Sequence, residues 1–440
     1  MKLSSLMFAD DLLLFSKGDV GSMMILLRTF STFSKASGLQ LSKGKSNVYF
    51  NGVPADIRSE IIHVSGCSEG AMPFKYLGVP IKPSKLSIKD CQPIIDKVLE
   101  RIRNLGTKKL SYAGRLILVK YVYKTLHSYW ASIFILPKGV IVKIEAICRN
   151  FLWSGGSEFT KNPTVAWSKI CTEKKQGGLG LMNECLRNKA AVGKLLWWIH
   201  IHPDKLWVKW IHSTYLRTTT WGEYQCPSNV SWTWKKVCKL RNELQQAYSQ
   251  NEWSRIPGKE YSIRKGYTWL QGALPEVIWQ HKVWNKWTVP KHGMIAWMAQ
   301  HQGINTKDKL FRLNISNDNL CCLCGKEEET LPHLFFKCHY SEEIMMRIQN
   351  WVGLVMPRTR DHEWRRGARM TRLKVGILNS ILNAVTYHVW RQRNECRHEM
   401  KLIRPDGCVN MIKYEIRTKI NKQLKGKLSR KDLVWIEKLM

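Results

Sequence analysis

Residues 321–338 read CCLCGKEEETLPHLFFKC, and this stretch decides how the second half of the chain folds. Cys321 and Cys324 form a C-x2-C pair, and after eight residues His333 and Cys338 follow as an H-x4-C pair. Three thiolates and one imidazole are the ligands of a closed tetrahedral zinc site. The spacing therefore predicts a structural zinc ion, because all four positions are filled by protein and none is left for a reacting water. The alternative is a buried helix that brings these side chains together by chance.

The residues next to the ligands favour a zinc knuckle. Gly325 directly follows the second cysteine of the pair and allows a tight turn whose backbone amides point at the thiolate. Cys322 and His339 each lie one residue away from a ligand. We leave both out of the set, because Cys322 with Cys324 would form a strained C-x-C pair.

The composition gives the chain a strong positive charge. The 440 residues include 70 Lys and Arg against 34 Asp and Glu, a formal charge of +36. Such a charge favours a polyanionic partner, and RNA and DNA are the expected partners, ahead of an anionic membrane surface. No apolar run reaches the roughly 18 residues of a membrane span, and no signal peptide is visible. We therefore expect an intracellular protein, with the nucleus as its compartment. Thirteen cysteines, an odd number, favour reduced thiols.

After Pro93, apolar residues recur at the spacing of a helix. The positions from Ile94 to Leu105 predict an amphipathic helix, and two further helices are predicted towards Trp130 and over about 140–153. Their outer faces are basic, which suits contact with the phosphates of a duplex. For any single lysine, a solvated surface position is the simpler interpretation. The cations singled out are Lys97, Arg101, Lys108 and Lys109.

The chain opens with two short apolar runs around a pair of acids, LSSLMFADDLLLF at residues 3–15. This pattern predicts a β-hairpin whose turn lies at Asp10 and Asp11. Two carboxylates at such a tip repel each other unless a cation lies between them, which indicates a divalent metal site for phosphoryl transfer. The alternative is an Asp-rich turn without a metal, since Asp is common in turns.

Several blocks match the motifs of one protein family in their order. These are FADDLLLF, SGLQLSKGKSNVYF at residues 37–50, KYLGVPI at 75–81 and LSYAGRLILVKYV at 110–122. They resemble, in turn, the catalytic palm motif, the block after it, the primer-contacting block and the thumb of plant LINE-type (non-LTR) retrotransposon reverse transcriptases. The segment from about Tyr261 through the cysteine cluster resembles the reverse transcriptase zinc-binding domain found downstream of these polymerases. Trp390 with Arg391, Arg393 and Asn394 resembles a helix near their carboxyl end.

This resemblance assigns roles to particular residues. It implies that Asp10 and Asp11 are palm metal ligands, and that Tyr76, Leu77 and Gly78 belong to the primer grip. The family's polymerases need a further metal-binding Asp and the fingers upstream of the FADD block, which seven residues precede here. We therefore expect part of an RNA-directed DNA polymerase that is inactive alone. Mg²⁺ would bind only if the palm is completed.

The expected fold is mainly α with small β elements, in five segments. Tryptophans are dense in a connector over residues 157–260. We expect these rings to pack in a core, and the alternative is that they stack on bases. His388 and His398, in the tail, are expected to be surface or packing residues and not ligands. The segments are a palm remnant with its β-hairpin (1–85), a helical thumb (86–156), a Trp-rich connector (157–260), a small zinc-binding domain (261–350) and a basic helical tail (351–440).

Three functions remain open at this point. The first is a fragment of a retrotransposon polymerase, and the second is a non-catalytic zinc protein that binds nucleic acid. The third is the product of a decayed retroelement, which folds without a function. An in-frame palm region in the genomic sequence upstream would favour the first. The oligomeric state is left open.

Overall fold

The computed structural model of the chain is mainly helical with short two-stranded sheets, which confirms the predicted fold class. Two of the four cations named above, Lys108 and Lys109, lie outside the residues that the structure describes. Within those residues, no helix is long and apolar enough to cross a membrane. The described ranges are 4–82, 84–105, 110–125, 128–158, 162–247, 261–355, 370–424 and 429–440.

Contacts divide the chain into two compact units. The first comprises Met1–Ile94, Tyr129–Val140 and Arg187–Leu270, and the second comprises Ile95–Ser128, Ile141–Leu186 and Gln271–Met440. Residues 271–350 of the zinc-binding segment and the tail therefore fall within the second unit, whereas residues 261–270 belong to the first. The five-segment division stays a prediction.

The strands lie near the amino terminus, and each described sheet has two of them. The first and third sheets are antiparallel hairpins, whereas the second is parallel. The pairs are β1 (Ser5–Phe8) with β2 (Asp11–Leu14), β3 (Asn47–Val48) with β4 (Ser68–Glu69), and β5 (Phe74–Tyr76) with β6 (Val79–Ile81).

The helices account for most of the described chain. They are α1 (Val20–Ser37), α2 (Ala55–Ser65), α3 (Gln92–Leu105), α4 (Tyr112–Thr125), α5 (Ser128–Ile133), α6 (Lys138–Ser154), α7 (Trp167–Ile170), α8 (Glu184–Ile201), α9 (Leu206–Ile211), α10 (Trp232–Ala247), α11 (Ile263–Gln271), α12 (Gln280–Val283), α13 (Pro290–Gln300), α14 (Lys307–Arg312), α15 (His339–Val352), α16 (Arg372–Glu399), α17 (Pro405–Gln423) and α18 (Arg430–Leu439). Short 3-10 turns lie at Lys43–Lys45 and Lys174–Gln176, and π-helical turns at His212–Leu216 and His333–Lys337.

The predicted amphipathic helix is α3, which begins two residues earlier than the apolar pattern indicated. Val98 and Ile102 are fully buried, as their spacing requires. Ser111 caps the next helix, because its Oγ accepts a hydrogen bond from the Gly114 N–H at 3.3 Å. These matches show that local spacing was sufficient to place α3, α4 and α6, whereas α1 and α2 were not predicted.

The core of the first unit contains tryptophans of the connector. Trp234 is 4% exposed and donates from its indole Nε1 to the Tyr224 hydroxyl at 3.2 Å. The Trp221 ring is also buried, and the Arg241 guanidinium lies 5.0 Å from the ring centroid while donating to the Trp221 carbonyl at 2.8 Å. The core-packing interpretation is therefore confirmed for these rings. Trp210, at 36% exposed, lies at the surface.

Helix α13 is central to the second unit. Every residue from His292 to Ala299 is buried, because α13 packs against α4, α12 and α16. Trp297 is fully buried, and its Nε1 donates to the Gly177 carbonyl at 2.7 Å. The long helix α16 also packs against α17 and the π-helical turn at His333–Lys337. The carboxyl-terminal helices thus support the segment that carries the cysteine cluster.

Candidate metal centre

The first half of the cysteine cluster is a tight turn. Leu320 and Glu328 form an antiparallel bridge, and the Cys321 N–H donates to the Glu327 carbonyl at 2.8 Å. The Gly325 N–H donates back to the Cys321 carbonyl at 2.8 Å, which closes the turn around Cys324. Gly325 has φ +67°, in the left-handed region that favours glycine. The predicted role of Gly325 in the turn agrees with this geometry.

The second half is the π-helical turn His333–Lys337, which ends at Cys338. The Cys338 N–H donates to the His333 carbonyl at 2.7 Å, which closes the wider turn. Cys338 is also the N-cap residue of α15, so the start of that helix fixes its position. Single π-turns are frequent at functional sites, because they reorient side chains within a helix.

The two halves bring the four predicted side chains together. The ligand atoms of Cys321, Cys324, His333 and Cys338 all lie within 4.8 Å of one another. The Sγ atoms of Cys321 and Cys338 are 3.8 Å apart, and Cys324 Sγ lies 3.4 Å from His333 Nε2. A tetrahedral zinc ion at normal bond lengths would separate two sulfurs by about 3.8 Å, and a sulfur from an imidazole nitrogen by about 3.5 Å. The cluster therefore fits a structural zinc ion.

A hydrogen bond between two of the buried thiols shifts their pKa values in opposite directions. Cys321 donates to Cys338, and this bond raises the pKa of the Cys321 thiol, with burial as the second cause. The same bond lowers the pKa of Cys338, and the backbone N–H groups of Tyr340 and Ser341 lower it further. The thiolate is the form of cysteine that binds a metal. Cys338 is thus prepared to ionise at the start of α15.

A carboxylate orients the histidine of the cluster. His333 is 4% exposed, and its Nδ1 lies 2.9 Å from Glu327 Oε2. This contact leaves Nε2 directed at Cys324, as in the carboxylate–histidine–zinc arrangements of many metal sites. Sequence reasoning missed Glu327, because nothing distinguishes it from its neighbours in the KEEE run.

A second glutamate of the same run ties the cluster to α16. Glu329 is fully buried, and its Oε1 accepts hydrogen bonds from Arg393 at 2.6 and 2.9 Å. The same oxygen accepts the Lys307 N–H at 2.9 Å. Arg393 is itself 2% exposed and also donates to the Asn305 carbonyl at 3.2 Å. The Trp-Arg-x-Arg-Asn run thus contains the ion-pair partner of the cysteine segment, and sequence reasoning did not predict this pairing.

The two spare candidates stay outside the cluster. Cys322 is half-buried, and its N–H donates to Glu329 Oε2 at 3.4 Å. His339 is exposed. Among the residues that the structure describes, neither belongs to a group of three or more potential metal ligands.

The predicted palm acids lie on an exposed hairpin. Phe8 pairs with Asp11, so the turn consists of Ala9 and Asp10, one residue earlier than the sequence suggested. The predicted turn at both acids is wrong for Asp11, which begins β2, because the two-residue loop fits the left-handed Ala9 at φ +52°. Both acids are exposed, and within the described ranges neither belongs to a group of three potential metal ligands.

The residues assigned to the primer grip form a second tight turn. Leu77 and Gly78 connect β5 to β6 with φ values of +49° and +80°, as in a type I′ hairpin turn. Tyr76 pairs with Val79 across this turn and is half-buried. Leucine rarely adopts a left-handed conformation, so the turn holds Leu77 in a conformation that costs free energy.

The described part of the basic patch lies on α3. Lys97 and Arg101 are exposed and one turn apart. The Arg101 guanidinium lies 5.7 Å from the Tyr121 ring centroid and donates to the Tyr121 hydroxyl at 3.3 Å. Tyr121 therefore orients one of the two cations.

Comparison with known proteins identifies the same part of the chain. Residues 261–344 match the family described as zinc-binding in reverse transcriptase. A protein of Arabidopsis thaliana named "Putative ribonuclease H protein" is 29% identical over 193 residues, which cover 42% of this chain. The chain spans 30% of the length of that relative. The four clustered side chains all lie within the residues matched by the family.

Proposed function

We propose that the chain is the carboxyl-terminal part of a LINE-type (non-LTR) retrotransposon reverse transcriptase, in which a zinc-stabilised module binds RNA or DNA. The observation that carries this proposal is the Cys3His cluster, whose distances suit zinc, inside the residues matched by a reverse transcriptase zinc-binding family. The palm, primer-grip and thumb motifs favour the LINE type.

In this proposal zinc has a structural role. The four side chains fill every position of a tetrahedral ion, so zinc would supply cross-linking and not chemistry. Cys321 and Cys324 would hold the turn, and His333 and Cys338 would attach that turn to α15. The bound ion would fix the module that the buried Glu329 and Arg393 join to α16.

The charge of the chain supplies the reason for nucleic-acid binding. A net charge of +36 favours phosphate contacts, which position a protein without reading bases. Lys97 and Arg101 on α3, with Lys108 and Lys109, form the proposed phosphate-binding surface. We expect little sequence preference.

The salt dependence of binding tests this surface. A protein that neutralises about six phosphates of a duplex should give a slope near −5 for log K against log salt, because each contact contributes about −0.9. Changing Lys97, Arg101, Lys108 and Lys109 together to Gln should flatten the slope by up to about 3.6. Fluorescence anisotropy with a labelled duplex at several salt concentrations measures both slopes.

A charge-preserving variant is the matched control. Exchanging Arg for Lys and Lys for Arg at the same four positions should keep the slope, even where the Arg101 contact with Tyr121 is lost. A slope near zero in the wild type, or an unchanged slope in the Gln variant, would exclude this surface as the phosphate-binding site. Binding that stays without polymerase activity when an upstream palm polypeptide is added in trans would favour the non-catalytic alternative, and absence of both binding and activity would favour a decayed product.

We also propose that this chain alone does not polymerise DNA. Asp10 and Asp11 are two carboxylates on an exposed hairpin, and a two-metal site for in-line displacement needs a third. We expect no template-dependent incorporation of nucleotides on a primed RNA with Mg²⁺ or Mn²⁺. Incorporation that the wild type shows and Asp10→Ala lacks would contradict this. Adding an upstream palm polypeptide in trans is the positive control.

A further inference from the structure

A second group of potential metal ligands lies away from the cysteines. His292 on α13, His388 on α16 and Glu415 on α17 place one ligand atom each within 4.8 Å of the others. Both histidines are fully buried, and the Glu415 side chain is 23% exposed. The three residues come from three helices and lie 27 or more positions apart in the sequence. His388 was expected to be a packing or surface residue, and the structure buries it fully beside a carboxylate.

Both imidazoles contact the same oxygen of Glu415, but only His388 does so with hydrogen-bond geometry. His292 Nε2 lies 2.6 Å from Glu415 Oε2, and His388 Nε2 lies 3.2 Å from the same oxygen. Despite the short distance, His292 Nε2 has no partner with hydrogen-bond geometry among the described residues, and neither does its Nδ1. A buried polar atom without a partner is costly.

Neighbouring side chains hold the Glu415 carboxylate and the His292 imidazole in one orientation. Lys291 Nζ lies 2.6 Å from Glu415 Oε1, which holds that oxygen and leaves Oε2 facing the two imidazoles. The Lys291 side chain is 32% exposed, so water can solvate its charge. The Tyr387 ring lies 4.8 Å from the His292 ring and limits the movement of that imidazole. The Glu415 carboxylate and the His292 imidazole are therefore restricted before any ion binds.

We infer that His292, His388 and Glu415 form a second zinc site, which links α13, α16 and α17. Two neutral imidazoles and one carboxylate are a ligand set that zinc accepts, with a water in the fourth position. Bound zinc would give His292 Nε2 the partner that it lacks. The burial of both imidazoles makes a role in joining the helices more suitable than access for a substrate.

Metal stoichiometry tests this inference on the full chain. Protein equilibrated with Zn²⁺ should contain two ions per chain by elemental analysis, and His388→Gln should contain one. His398→Gln is the matched control, because it makes the same change at an exposed position on the same helix and should leave two ions. A wild-type content of one ion, or equal contents in His388→Gln and the wild type, would overturn the site.

Cobalt substitution separates the two sites. In Cys324→Ser, the remaining Co²⁺ should absorb without a thiolate-to-metal charge-transfer band, and adding Glu415→Gln should remove that absorption. In His388→Gln, the charge-transfer band of the cysteine site should persist. This band reports only metal binding by the cysteines. Its absence from the wild type would therefore count against the zinc module and not against the histidine site. Co²⁺ absorption in Cys324→Ser that Glu415→Gln leaves unchanged would overturn the inference.

Discussion

Replacing Cys324 with Ser is expected to lower the zinc content by one ion per chain and to unfold the segment around residues 320–338. Cys324 Sγ is one of four ligand atoms within 4.8 Å, so its loss opens the tetrahedral set. Structural zinc in small modules contributes an apparent free energy of about 10–16 kcal/mol, which makes metal binding and folding one process. Elemental analysis and limited proteolysis of the two proteins measure the change. A chelator should likewise unfold this segment in the wild type, while the thumb helices should remain folded.

Cys322 provides the control for this experiment. It lies two residues from Cys324, is half-buried and does not belong to the ligand group within the described residues. Cys322→Ser should therefore keep the wild-type zinc content. Unchanged zinc in Cys324→Ser would reject the ligand assignment, and loss in both variants would point to a general disturbance of the turn.

Replacing Arg393 with Met is expected to destabilise the second unit by about 3–5 kcal/mol, because it leaves a buried carboxylate without its partner. Glu329 is fully buried and accepts both guanidinium hydrogen bonds through one oxygen. Urea denaturation, followed by circular dichroism, measures the free energy of unfolding. Combining Arg393→Met with Glu329→Gln should cost less than the two single changes added together, because the unpaired charge is then removed.

Arg391 on the same helix is the matched control. Its side chain is 45% exposed, and it pairs with Glu395 one turn away at 2.7 Å. Exposed pairs of this kind contribute about 0–1 kcal/mol, so Arg391→Met should have a small effect. If the two arginine variants unfolded at the same urea concentration, the Glu329 pair would not stabilise the unit.

The sequence predicted those parts of the molecule that depend on local spacing. The four cysteine-cluster ligands occupy 18 residues, and chemistry alone restricts how such a set can be used. Helix α3 was recognisable for a similar reason, since apolar residues at a period of 3.6 mark one buried face. The hairpin at residues 5–14 was predicted, but its turn was placed one residue late, because the pattern does not fix the conformation of Ala9.

Long-range pairs could not be predicted in this way. Glu329 and Arg393 are 64 positions apart, and each stands among other charged residues that look equivalent in the sequence. The same holds for His292, His388 and Glu415, which meet only because α13, α16 and α17 pack together. Such partners become recognisable only when the packing of the helices is known.

The roles of the KEEE run have a consequence for how copies of this sequence can diverge. Glu327 supports the histidine of the cluster, Glu329 pairs with Arg393, and Glu328 between them is exposed. In lineages where the folded protein is under selection, substitutions should accumulate at Glu328 and be rare at Glu329, whereas neutral drift would change both codons at the same rate. An insertion or deletion between Cys324 and His333 would displace both supporting carboxylates at once, so selection should also preserve the length of this loop.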